Sequence, residues 1–112
     1  MIPREEVDVA VGIGFCSDDE DTVSMALTAL RALMRRCCAR PGDIGKLQMC
    51  SESLLDRSKS IKSHLMSLFQ PRGCKSVEGI DCYHACYGGT AALLACTNWV
   101  DSSAWNGRWA IA

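Results

Sequence analysis

Six consecutive apolar residues, Ala91-Ala92-Leu93-Leu94-Ala95-Cys96, follow Gly88-Gly89-Thr90 in this 112-residue chain. A helix built from them has no polar face, and a helix that is apolar all round is stable only where other layers cover it. The strand pattern Val77-Glu78-Gly79-Ile80-Asp81-Cys82-Tyr83 leads into this helix through His84-Ala85-Cys86-Tyr87. The segment therefore reads as a strand, a glycine-bearing turn and a buried helix, which demands a layered fold.

The remaining periodicities agree with such a fold. Val7, Val9, Val11, Ile13 and Phe15 alternate with small or polar residues, the period of a half-buried strand. Ser17-Asp18-Asp19-Glu20 has the form of a capping box, so a helix is expected to start there. Val23, Ala26, Leu27, Leu30, Leu33, Met34 and Cys37 supply its apolar stripe, Arg31, Arg35, Arg36 and Arg40 suit its negative C-terminal end, and Pro41-Gly42 stops it. Lys46 to Cys50 alternates as a short strand, and a polar stretch follows from Ser51 to Ser60. Ile61, Leu65, Leu68 and Phe69 predict a second helix, ended by Pro71-Arg72-Gly73. Asn106-Gly107 predicts a turn, and Arg108 to Ala112 reads as a strand cut off as it begins, so the chain is read as a fragment. Alternating strands and helices indicate an α/β layered fold with crossover connections, in one domain at most.

Composition excludes several functions. With 12 Lys+Arg against 13 Asp+Glu, the chain lacks the cationic excess that tracking a nucleic-acid backbone requires. No apolar run approaches the roughly 18 residues of a membrane span. Met1 to Glu6 is acidic where a leader peptide would be basic or apolar, so no targeting segment is expected. Eight cysteines stand out, but they fall inside apolar periodic segments at least as often as in loops, and most of them read as reduced thiols of an intracellular protein. Cys82, His84 and Cys86 have no second cluster that would complete a zinc tetrahedron, so no metal is expected.

The chemistry concentrates at Ala85-Cys86-Tyr87-Gly88-Gly89-Thr90. A thiol at a helix N-terminus meets the positive end of the macrodipole and unpaired N–H groups, which favour thiolate. Glycines beside it let a substrate approach the backbone, whose N–H groups can hold an oxyanion. Cys86 is therefore the candidate nucleophile for acyl transfer, with a buried structural thiol as the alternative, and Cys82 and Cys96 read as core. Glu52, just past the end of a strand, is the candidate acid/base, with a solvated carboxylate as the alternative. His84, two residues before Cys86, is expected to share a strand face with it, and His64 to lie on the surface. The Asp56 to Lys62 run reads as a solvated loop and helix start rather than a phosphate contact.

Taken together, Gly14-Phe15-Cys16-Ser17-Asp18-Asp19-Glu20-Asp21, Ser51-Glu52-Ser53-Leu54-Leu55-Asp56-Arg57-Ser58-Lys59-Ser60, Glu78-Gly79-Ile80-Asp81, Ala85-Cys86-Tyr87-Gly88-Gly89-Thr90-Ala91-Ala92 and Asn98-Trp99-Val100 resemble hydroxymethylglutaryl-CoA synthases, in order and in spacing. The resemblance covers about residues 14 to 112; residues 1 to 13 depart from it. It implies a thiolase-like layered αβαβα fold, of which this chain is part of the first half, the N-terminal domain. It also implies an acyltransferase that joins acetyl-CoA, acetoacetyl-CoA and water into 3-hydroxy-3-methylglutaryl-CoA and CoA, in the mevalonate or ketogenic route. Cys86 would carry the acetyl group as a thioester, with its own N–H helping to hold the thioester oxygen, and Glu52 would be general base and then acid. The family's catalytic His and most substrate contacts would lie beyond Ala112. No cofactor beyond the CoA substrates is implied, the full-length enzyme would be a homodimer, and its compartment would be cytoplasmic, with mitochondria as the alternative. Two other readings stay open, namely another thiolase-superfamily condensing enzyme and a non-catalytic chain that only binds a full-length subunit.

In a complete enzyme, Cys86 is expected to be the thiol most readily alkylated at neutral pH. Peptide mapping after limiting alkylation checks this, and Cys37 or Cys74 reacting first would contradict it.

Overall fold

The structure, a computed structural model, describes residues 14–112. The strand expected over Val7–Phe15 lies outside these residues except for its end, where Phe15 is irregular and open to solvent. Helix α1 spans Thr22–Arg36. It starts later than expected, because Asp21 and not Ser17 caps it. The Asp21 carboxylate accepts the Ser24 N–H at 2.7 Å while the Ser24 hydroxyl accepts the Asp21 N–H at 2.9 Å, a complete reciprocal box. Ser17 and Glu20 close a separate turn just upstream, in which each N–H meets an oxygen of the other. Arg35 and Arg36 occupy the last turn of α1, as the dipole favours, and Cys38 turns the chain out with φ of 51° before Pro41.

The expected strand over Lys46–Cys50 begins earlier, as β1 (Ile44–Leu47), and continues as β2 (Met49–Cys50). β1 pairs in parallel with β4 (Trp109–Ile111), and β2 pairs in parallel with β3 (Asp81–Cys82). Successive amides of the run reach opposite neighbours. Leu47 N–H donates to Glu78 C=O at 2.8 Å, Gln48 N–H to Ile111 C=O at 2.8 Å and Met49 N–H to Ile80 C=O at 3.2 Å. Being central in a parallel arrangement, Ile44 through Gln48 are all buried, so the alternation read over Lys46–Cys50 does not separate a buried face from an exposed one. Two polar residues are carried inside with partners. Lys46 Nζ reaches the solvent-exposed Glu78 carboxylate at 2.8 Å and lies 5.8 Å from the Trp99 ring centre, and the Gln48 side-chain oxygen accepts the Ile80 N–H at 3.1 Å.

The second helix is shorter than its periodicity predicts. α2 covers Ile61–Leu65 and passes into 3₁₀ turns at Met66–Leu68 and Gln70–Arg72. Its apolar residues nevertheless face inward, since Ile61, Leu65, Met66 and Phe69 join Leu30, Ile44, Leu47 and Val77 in one buried cluster. Helix α3 (Gly88–Val100) buries only the stripe Gly88, Ala92, Cys96 and Trp99. Leu93 and Leu94, 57% and 48% exposed, stand on a face that nothing covers among the described residues, so the all-round burial expected of this helix is not observed. No described helix is long and apolar enough to cross a membrane.

Gly79 shows how closely the strands approach. Its φ is 147°, a region open essentially to glycine, and a Cβ there would overlap the Leu47 carbonyl. Gly79→Ala is expected to cost about 2 kcal/mol or more, since backbone strain adds to a displaced strand. Gly73→Ala, also at positive φ but in open surroundings, should cost about 1 kcal/mol. Urea unfolding of both variants checks the ordering, and equal losses would contradict it.

Candidate functional site

Parallel pairing places two chain segments at one edge. Cys50 and Cys82 are register partners, so β2 and β3 end side by side and their continuations leave the same, C-terminal edge. In open α/β sheets this is the edge at which ligands bind. Glu52 is the second residue past β2. Cys86 lies in the turn past β3, one residue before Tyr87, which occupies the N-cap position of α3. Both side chains are open to solvent. The structure thus brings the two candidate residues to one edge, with the thiol at a helix N-terminus as expected.

The first turn of α3 is seated on the end of β2. Gly88 N–H donates to His84 C=O at 3.1 Å, and the Cys50 thiol points at the same carbonyl at 3.7 Å. Gly88 is buried, and a Cβ on it would run into the Cys50 sulfur, so only glycine lets the helix start this close to the strand. An open groove of about 420 Å³ between α1 and α3 is lined by Leu30, Leu47, Cys50, Gly89 and Ala92, and neither Cys86 nor Glu52 lines it.

The histidines depart from expectation. β3 ends at Cys82 and residues 85–87 form a turn, so the face-sharing rule for strands does not apply to His84 and Cys86. The His84 ring instead meets Tyr87 edge-on at 5.5 Å. His64, on α2, is partly buried rather than at the surface, and it lines a small groove of about 210 Å³ with Asp21, Thr22 and Leu54. Cys96 is a core thiol as expected. Burial pushes it up, with Lys46 opposing, and it points at Ile111 C=O at 3.5 Å. Cys82 is half-buried. Among the described residues no group of three or more His, Cys, Asp and Glu could hold a metal ion.

Three contacts around the 51–60 loop escaped the sequence reading. Thr22 Oγ1 donates to Ser53 C=O at 2.8 Å. The Asp81 carboxylate accepts the Ile61 and Lys62 N–H groups at 2.6 and 2.9 Å, and with Ser60 it caps α2. Arg57 lies over Tyr83, with its guanidinium carbon 4.9 Å from the ring centre. The loop is exposed as expected, but it is tied down. Only the Ser60 cap carries a sequence signal, a serine just before an apolar helical period; the partners of the other contacts lie too far along the chain.

Residues 8–112 match the sequence family described as Hydroxymethylglutaryl-coenzyme A synthase N terminal, a match that begins inside the segment expected to depart from the family. The chain is 50% identical over 106 residues to hydroxymethylglutaryl coenzyme A synthase of a Fusarium species, covering 90% of this chain and 23% of the relative. It is 48% identical over 99 residues both to the cytoplasmic synthase of Mus musculus and to the mitochondrial synthase of Sus scrofa, covering 88% of this chain and 19% and 20% of those proteins. Among solved structures it is similar to MvaS in complex with 3-hydroxy-3-methylglutaryl coenzyme A, with a TM-score of 0.71 at 40% identity over 80% of this chain and 21% of that one. The acyltransferase ChlB3 shares the fold with a TM-score of 0.71 at 20% identity, covering 90% of this chain and 30% of its own. The architecture is part of a thiolase-like α/β fold, and the chain spans about a fifth to a quarter of the length of its curated relatives.

Gly88→Ala is expected to destabilise the chain by about 1–3 kcal/mol through overpacking against Cys50, and Cys50→Ala in the same chain to recover most of that loss. Thermal unfolding of the two single variants and the double variant checks the coupling. Additive losses would show that the sulfur is not what excludes a side chain at Gly88.

Proposed function

The chain belongs to the hydroxymethylglutaryl-coenzyme A synthase family, and from that premise we propose that it forms the nucleophile-bearing part of an acyltransferase that condenses acetyl-CoA with acetoacetyl-CoA. The observation that carries this reading is the pairing of β2 with β3, which sends Glu52 and Cys86 out from one sheet edge.

The Cys86 sulfur attacks the thioester carbonyl of acetyl-CoA, CoA leaves as its thiol, and the acetyl group remains on the enzyme as a new thioester. The Cys86 N–H, within the turn into α3, helps hold the thioester oxygen. Glu52 takes a proton from the acetyl methyl, and the resulting carbon nucleophile attacks the ketone of acetoacetyl-CoA. The same residue, now a carboxylic acid, returns its proton to the alkoxide. Water then cleaves the enzyme thioester, which frees 3-hydroxy-3-methylglutaryl-CoA and restores the thiol. Most substrate contacts, and the further proton transfers of hydrolysis, fall to the larger share of the family's length that this chain does not span, so the 112 residues alone are not expected to turn over. A homodimer is the proposed assembly. The cytoplasm is the proposed compartment, with mitochondria as the alternative, because relatives carry both names.

The test places residues 14–112 in the matching segment of the Fusarium relative and follows acetyl-enzyme formation and condensation separately. Cys86→Ser should abolish the acetyl-enzyme. Glu52→Gln should leave acetylation in place and slow condensation by about 10²–10⁴-fold, the usual contribution of a positioned general base. Normal condensation by the Glu52 variant, or acetylation persisting without Cys86, would overturn the proposal.

A further inference from the structure

Resting on that reading of Glu52 and Cys86, we infer that Arg57 and Tyr83 form a clamp that sets the Glu52 loop against the Cys86 turn, making both of them positioning residues for carbon–carbon bond formation. The loop from Ser51 to Ser60 carries Glu52 and is mostly exposed, so burial does not hold it. Its two ends are anchored. Thr22 Oγ1 fixes the Ser53 carbonyl at 2.8 Å, and Asp81 fixes the Ile61 and Lys62 N–H groups at the entry to α2. Between them Asp56 accepts the Ser58 N–H at 2.8 Å, which bends the chain around Arg57, and the Ser58 side chain, followed by that N–H, holds the Asp56 carboxyl below its usual range.

Arg57 links the middle of this loop to the segment that bears the thiol. Its guanidinium carbon lies 4.9 Å from the centre of the Tyr83 ring, and Nη2 donates to the Tyr83 hydroxyl at 3.3 Å. Tyr83 is the first residue past β3 and stands three residues before Cys86. Tyr83 is 61% exposed, so apolar burial does not explain its placement. A planar guanidinium can lie over a ring and reach its hydroxyl at once, whereas an ammonium satisfies one contact or the other. A base that must meet a methyl group held on a neighbouring sulfur tolerates little displacement, because misplacement by about 1 Å can cost about 100-fold in rate. Acetylation of Cys86 does not require Glu52 to be in place, so loss of the clamp should separate the two steps.

The test uses two readouts. In the 112-residue chain, Arg57→Ala should speed amide hydrogen exchange in residues 51–60 and 83–87, whether or not the chain is catalytic. In the Fusarium chimera, Arg57→Ala should leave the rate of Cys86 acetylation within about twofold while slowing exchange of the acetyl methyl protons and condensation by about fivefold, the upper end of what one exposed cation–π contact is worth. Arg57→Lys should recover only part of that loss, and Arg57→Ala combined with Tyr83→Ala should be no slower than either single variant. Proportional loss of both steps, additive penalties, full rescue by lysine or unchanged amide exchange would each overturn the clamp. A parent chimera that never acetylates Cys86 would instead sink the functional reading, and amide exchange would still decide the clamp.

Discussion

Parallel pairing on both sides of the Ile44–Cys50 run is the constraint on which the rest of the structure depends. A strand whose successive amides bond opposite neighbours is removed from water, as Ile44 through Gln48 are, so the residues on that stretch are either apolar or paired. That is why Lys46 and Gln48 are buried only together with Glu78 and the Ile80 amide as partners. The same pairing aligns the ends of β2 and β3, and the positions of Glu52 and Cys86 follow from that alignment. Lengthening or slipping either strand by one residue would reverse the side chains along it and separate the two exits.

Two glycines mark where the backbone comes too close for any side chain. At Gly79 the approach to β3 lies against the Leu47 carbonyl, and at Gly88 the first turn of α3 lies against the Cys50 sulfur. Both positions serve one geometry, in which the turn bearing Cys86 is pressed onto the end of the central run. The Lys46 to Glu78 contact adds little energy of its own, because Glu78 is 61% exposed and solvent screens the pair. Its effect is to let a lysine stand inside the sheet with its charge directed outward.

The edge that results has a rigid side and an adjustable one. Cys86 is held by a helix start packed on a strand, whereas Glu52 sits in an exposed loop held by a few polar contacts from Thr22, Asp81 and Tyr83. On the proposed reading, a nucleophile on the helix side and an acid/base on a tethered loop would suit a reaction in which one group stays attached to the enzyme while the other moves a proton twice. The uncovered apolar face of α3, with Leu93 and Leu94, belongs to the same helix, and its composition matches a layered fold more extensive than the described residues form.

Much of this was legible in the residues themselves. The apolar stripe of α1, the arginines in its last turn, the Asn106-Gly107 turn before β4 and the strand, turn and helix around Cys86 all rest on periodicity and end chemistry that act over a few residues. The same local rules misplaced the start of α1, because Ser17 and Asp21 both head capping patterns and only Asp21 adjoins the stripe that packs. They also made α3 buried all round and read alternation in a central stretch that is buried throughout, since composition does not say how many layers are present or how many neighbours a strand takes. The sequence by itself determined the order of helices and strands over the described residues and which residues are candidates for the chemistry. Only the tertiary structure decided that Cys50 lies beside Cys82, that Asp81 caps α2 and that Arg57 covers Tyr83, because each of these contacts joins residues some 20 to 30 positions apart, and their proximity depends on strand pairing rather than on any local preference.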